Sequence, residues 1–207
     1  MKLTDIRQST SSNRILLLFE DGTKLRVWKQ TVMDYGLFSG MEIDELFFET
    51  LRHAAAEDHA KDRAVRIVSS TNISKKQLAM RLMQKGESAE DSEKAIAWLE
   101  SLNFLDDRRS GEMIVRSALN KGYGEHRIRQ ILREKQIPQE LWEELLSDLP
   151  DMSSSVDKLL RQKIKNADDK KEIQRAVNTL MRHGHSWSDI KAGLDRLKVD
   201  MEEPECL

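Results

Sequence analysis

Three copies of one short helical pattern run through the last two-thirds of this chain, and they restrict its fold more than any other feature. Leu82 is followed by Lys85 and Gly86, Leu132 by Lys135 and Gln136, and Leu180 by His183 and Gly184. Each anchor leucine is followed by an apolar pair, Ile96 and Leu99, Leu146 and Leu149, Leu194 and Leu197. The anchors stand 50 and 48 residues apart. A period of this length marks a helical array in which each unit buries its apolar face against its neighbours. Such arrays present long surfaces to large partners.

Helix starts in this region are legible. Ser74, Ser88 and Ser186 each stand three residues before Gln77, Asp91 and Asp189. That spacing lets a hydroxyl satisfy a free N–H of the first turn while the later side chain reaches back. Pro138 suits a first helical turn, and Gly86 and Gly184 suit left-handed helix ends. The pattern predicts a mainly α chain: three tandem three-helix repeats over residues 61–105, 106–150 and 154–198, forming an elongated curved array. Residues 199–207, which include the single cysteine Cys206, read as a disordered tail.

The first 60 residues differ. Ile15 to Phe19 is an apolar run, Lys24 to Trp28 alternates, and Asp21-Gly22 between them supplies the positive backbone angles of a two-residue hairpin turn. Leu3 and Ile6 add a third short strand. From Ile43 to Ser69 the period becomes helical, with a polar stretch from Glu57 to Lys61 that is a candidate bend or break.

Charge is unevenly placed. Charged residues make up 34% of the chain, and its formal net charge is −2. Residues 1–60 carry −3, residues 61–135 carry +5 and residues 136–207 carry −4. A basic middle between acidic ends suits phosphate or an acidic protein surface. No apolar run is long enough to span a membrane, no signal peptide is apparent, and one cysteine cannot form an internal disulfide, so the cytoplasm is the expected compartment.

Few residues suggest catalysis. Glu49, His53 and Glu57 share one side of a helix, but that is also the spacing of ordinary surface pairs, and no metal is expected. Lys121-Gly122-Tyr123-Gly124 precedes a helix without the pattern of a phosphate loop, and reads as a tight interhelical turn. His183 and His185 flank Gly184 where a histidine can meet the last helical carbonyls. No nucleophile set is present, so no enzyme is expected. The helix from Glu125 to Lys135 is more informative: Ile128, Ile131 and Leu132 form its buried stripe, while Arg129 and Arg133, with Arg127 and Lys121 nearby, make a basic exposed side. Lys75, Lys76, Arg81 and Lys85 decorate the equivalent helix one repeat earlier, and stacking in register would join the two faces. Arginine forks suit phosphates and carboxylates.

At these residues the chain resembles the RecX family of bacterial regulatory proteins, which modulate the RecA recombinase. The resemblance rests on Ser74-x-x-x-Leu78-x-x-x-Leu82-x-x-Lys85-Gly86, on Phe104-Leu105-Asp106-Asp107, and on Lys121-Gly122-Tyr123-Gly124-x-x-Arg127-Ile128-Arg129-x-x-Leu132-x-x-Lys135. It implies a monomeric regulator without a cofactor. The chain would bind in the groove of the RecA–DNA filament, contact the single-stranded DNA within it, and damp ATP hydrolysis, strand exchange and co-protease activity; there is room for weak direct DNA binding. Two departures stand out. Ser110-Gly111 replaces an aromatic-alanine pair, which should loosen that helix, and Gln136 replaces a glycine. The alternative reading is a DNA-binding regulator of helix-turn-helix type.

Overall fold

A computed structural model of the chain describes residues 1–8 and 13–199. Of the tail expected from 199 to 207, residues 200–207, with Cys206, lie outside the described residues, and Val199 is buried rather than part of a free tail. Two compact units divide the chain, Met1–Asp106 and Asp107–Leu207.

The first unit opens with an antiparallel sheet of β1 (Leu3–Gln8), β2 (Arg14–Phe19) and β3 (Lys24–Trp28), in that order. Alternation puts Ile15, Leu17 and Phe19 of β2 inward with Val27, where they pack against Leu51 and Ala55 of a long helix. The β2–β3 turn differs from the two-residue hairpin read from Asp21-Gly22. Thr23 pairs back to the Phe19 N–H at 3.0 Å, which leaves a three-residue loop with one positive φ, at Gly22 (+86°). Asp21 instead accepts from the backbone N–H and hydroxyl of Thr23, at 3.0 and 2.7 Å. A single left-handed residue closes this longer loop, so asparagine-like freedom at Asp21 is not needed.

After α1 (Lys29–Asp34), helix α2 runs unbroken from Glu45 to Ser70. The expected bend at Glu57–Lys61 is absent because that polar stretch is used in packing. Asp58 is buried and accepts from the Trp28 N–H at 2.7 Å and the Thr31 hydroxyl at 2.6 Å, fastening the end of β3 and the start of α1 to the middle of α2. Lys61 pairs with Glu57 at 2.5 Å and lies over the rings of Trp28 and Trp98. The second half of α2 then packs with α3 (Lys75–Gln84) and α4 (Ala89–Ser101) around Ala64, Ile67, Leu78, Leu82, Ala95 and Leu99.

Two further three-helix groups fill the second unit. Helices α5 (Asp107–Asn120), α6 (Glu125–Glu134) and α7 (Trp142–Ser147) enclose Val115, Ala118, Ile128, Leu132, Trp142 and Leu146. Helices α8 (Ser153–Lys163), α9 (Lys170–Arg182) and α10 (Trp187–Arg196) enclose Val156, Leu160, Val177, Leu180, Ile190 and Leu194. The molecule is thus mainly helical with a small N-terminal sheet, and Leu82, Leu132 and Leu180 are each fully buried in their own group.

The serine caps form as read. The hydroxyls of Ser74, Ser88 and Ser186 accept from Gln77, Asp91 and Asp189 at 3.2, 3.0 and 3.1 Å. Pro138 is placed differently, before a short 3₁₀ turn (Gln139–Leu141) rather than in the first turn of an α-helix. Ser110-Gly111 is also not a loose spot. Both residues are buried, and a Cβ at Gly111 would meet Leu145 Cδ1 at 2.4 Å, so the leucine of α7 fills the space a side chain would take.

Candidate nucleic-acid interface

Helix α6 begins without a side-chain cap at Gly124, and its free N–H groups are satisfied from elsewhere. The chain end of α9 supplies them: Gly124 donates to the His183 carbonyl at 2.9 Å and His126 to the Gly184 carbonyl at 3.2 Å. Orphan donors of one helix meet orphan acceptors of another. Contact is close enough to require glycine on both sides. A Cβ at Gly124 would lie 2.3 Å from the Gly184 oxygen, and one at Gly184 would lie 2.2 Å from the Arg127 nitrogen. His185, 3% exposed, donates from Nε2 to the Gly122 carbonyl at 3.0 Å, and His183 meets the Tyr123 ring edge-on at 5.3 Å. Burial holds the His185 imidazole below its ordinary range, against the opposing pull of the Gly122 carbonyl, so the ring is neutral and its Nδ1 has no partner. The turn at residues 121–124 and the two histidines, read locally from sequence, thus form one joint between the α5–α7 and α8–α10 groups.

The joint fixes how α6 presents its arginines. Ile128 and Leu132 are fully buried, and successive steps of about 100° place Arg129 and Arg133 on one flank of that stripe. Arg127 lies on the other flank, with Glu134 at 3.7 Å. Arg129 Nε pairs with Glu125 at 2.7 Å, one turn back, and the Arg133 guanidinium lies 5.9 Å from the centre of the Trp142 ring. Lys121, ahead of the joint, is exposed. The three arginines expected to act together on α6 therefore occupy two edges rather than one stripe, and Lys121 lies ahead of the helix.

The cations of α3 belong to the first unit and are also dispersed. Lys75 pairs with Glu100 of α4. Helical steps put Lys75 and Arg81 on opposite edges of the Leu78–Leu82 stripe, with Lys76 on the outer side. Lys76, Arg81 and Lys85 are exposed, and the Lys85 carbonyl accepts from Arg63. Glu49 and Glu57, weighed above as a ligand set with His53, are taken by Arg52 at 2.8 Å and by Lys61 and Lys94. Among the described residues no group of three or more histidine, cysteine, aspartate or glutamate side chains is placed to hold a metal ion, and no helix is long and apolar enough to cross a membrane.

Residues 106–146, which carry α5, α6 and all but the last residue of α7, match the family described as RecX, second three-helix domain. A regulatory protein RecX from Vibrio parahaemolyticus is 32% identical over 139 residues, covering 65% of this chain and 89% of the relative. The chain belongs to the RecX family. Similarity to the regulatory protein RecX of Clostridium tetani extends over almost the whole length, at 27% identity, 95% of this chain and 94% of the relative. A crystal structure of regulatory protein RecX shares the fold with a TM-score of 0.75, at 21% identity and over 94% of this chain and 98% of that one. RecX from Lactobacillus salivarius follows at 0.64, over 71% of this chain and 99% of its own. These RecX relatives are named as regulatory proteins rather than as enzymes.

Proposed function

We propose that this chain regulates a RecA-type recombinase by binding in the groove of its filament on DNA, contacting both recombinase and single-stranded DNA as a monomer and without catalysis of its own. The observation that carries this reading is the Arg129–Arg133 flank of α6, which lies inside the segment matching the second RecX domain. Arg133 is exposed and Arg129 half-buried, and their partners are the Trp142 ring and Glu125 at the surface, so their forks can exchange those weak partners for phosphate or carboxylate. Regulation then requires only that the chain prefer one filament state over another. The cations of α3 and the pair Lys121 and Arg127 add to the same electrostatic attraction.

The test is the ATPase of recombinase assembled on single-stranded DNA, with this protein titrated in. Hydrolysis should fall as the protein is added, and Arg129→Glu with Arg133→Glu should weaken the effect by roughly tenfold or more, because each reversal removes a phosphate or carboxylate contact. A rate unchanged by the parent protein at saturating concentration would refute the reading.

A further inference from the structure

Helix α9 repeats the plan of α6 with one telling exchange. Arg175 stands five residues before Leu180, as Arg127 stands five before Leu132. Arg182 stands two after its anchor, where α6 has Glu134, and each of these is the last residue of its helix. In α6 the two positions, seven residues apart, neutralise each other, with Arg127 and Glu134 at 3.7 Å. In α9 both are arginine. Two like charges on one face, about 10.5 Å apart along the axis, cannot compensate each other.

No carboxylate compensates them either. Among the described residues neither Arg175 nor Arg182 has an acidic partner within ion-pair distance. Glu172, the acid one turn before Arg175, is turned away to accept from the backbone N–H groups of Lys165 and Asn166, at 2.8 and 3.1 Å. Arg182 finds only neutral acceptors, the Asn178 carbonyl at 3.2 Å and the Thr179 hydroxyl at 3.5 Å. Asn178 and Thr179 lie between the arginines on the same face, and an open depression of about 630 Å³ runs along them, lined by Arg175, Asn178, Thr179, Met181 and Arg182. The Thr179 hydroxyl donates to the Arg175 carbonyl at 2.8 Å and Asn178 Oδ1 accepts from Gln174 at 3.0 Å, so the donors this face offers to solvent are two guanidinium forks with the Asn178 amide N–H group between them.

We propose that this face of α9 is a second contact for the sugar–phosphate backbone of a nucleic-acid strand, with Arg175 and Arg182 each holding a phosphate and the Asn178 amide donating between them. The two forks, about 10.5 Å apart along the helix axis, are far enough apart to hold different phosphates of one strand. The site is blind to sequence, because contacts to phosphate carry no base information. The choice of DNA rests on the function proposed above, but the site acts without recombinase.

The test is fluorescence anisotropy of a labelled oligo-deoxythymidine with the full-length protein alone, across a salt titration. Arg175→Gln with Arg182→Gln removes both charges, keeps a polar side chain of similar helix propensity and, at exposed positions, leaves the core intact; unchanged helical circular dichroism verifies this. Affinity near 50 mM salt should fall roughly tenfold or more, and the slope of log K against log salt should become shallower by about 1.4, the share of two phosphates on a single strand. Arg175→Lys with Arg182→Lys, which keeps both charges, should retain the parent slope. A glutamine variant that binds as tightly and with the same slope overturns the proposal. A parent protein that does not bind the oligonucleotide at low salt overturns it equally, whatever the ATPase assay shows. If the oligonucleotide is bound through these arginines while recombinase hydrolysis is untouched, the α9 site stands and the filament reading falls.

Discussion

Gln136 occupies a position that L-residues avoid. It ends α6 with φ +56°, where the other repeats place Gly86 at +92° and Gly184 at +83°. A side chain in the left-handed region costs about 1–2 kcal/mol, against which glycine loses some stability through a freer unfolded chain. Gln136→Gly should therefore stabilise the protein by up to about 1 kcal/mol, read as a rise of a few degrees in melting temperature. His185 gives a different residue-level outcome. Its folded-state pKa is lowered by burial, so the unfolded chain binds the proton first as pH falls. The stability it supports is full above about pH 6.5, the ordinary histidine value, and is lost as pH drops below that toward the folded-state pKa. His185→Gln, which can still donate to the Gly122 carbonyl, should flatten the fall in melting temperature between about pH 7 and pH 5 relative to the parent. An equal fall in both proteins would show that the ring stays neutral in neither state or exchanges its partner.

At the scale of elements, local chemistry was readable and distant chemistry was not. The serine caps at Ser74, Ser88 and Ser186 were visible because donor and acceptor lie within three residues. The continuity of α2 was not, because the polarity of Glu57–Lys61 is explained by Trp28 and Thr31, some 30 residues away. Gly124 looked like a turn residue, and only the approach of Gly184 shows why it has no side chain. Of the candidate site, residue types are legible in sequence and their distribution is not: Arg127 stands two residues from Arg129, yet helical geometry and Glu134 place it on the opposite flank from Arg129 and Arg133. Arg175 aligns with Arg127 through the 48-residue anchor spacing, but that spacing does not reveal that Arg182 replaces the acid that neutralises Arg127 in α6 until both helices are compared face to face. Glycine at the joint gives a clear test. Gly124→Ala should destabilise the protein by about 2–4 kcal/mol, since backbone on both sides must move. Gly122→Ala, with φ +69° and nothing within 4 Å of the new Cβ, should cost only the left-handed strain of about 1–2 kcal/mol. Chemical denaturation of the pair measures the difference.

For the whole molecule, charge placement matters more than net charge. A chain of formal charge −2 would be repelled weakly by DNA if that charge were spread evenly. Instead residues 61–135 carry +5, so association with a DNA-bound filament should weaken steeply with added salt. Reversing Arg129 and Arg133 should flatten that dependence without shifting the melting temperature by more than a few degrees, because exposed pairs contribute little to stability. A large loss of stability would mean the guanidinium over Trp142 supports the core. The joint at Gly124 and Gly184 carries a further consequence for the chain as it opens and closes. The amide hydrogens of Gly124 and His126 are shielded only by carbonyls that belong to a different helical group, so they exchange with deuterated solvent when the two groups part, even if α6 itself stays wound. Those two hydrogens are a built-in clock for separation of the groups, set apart from the fraying of either one.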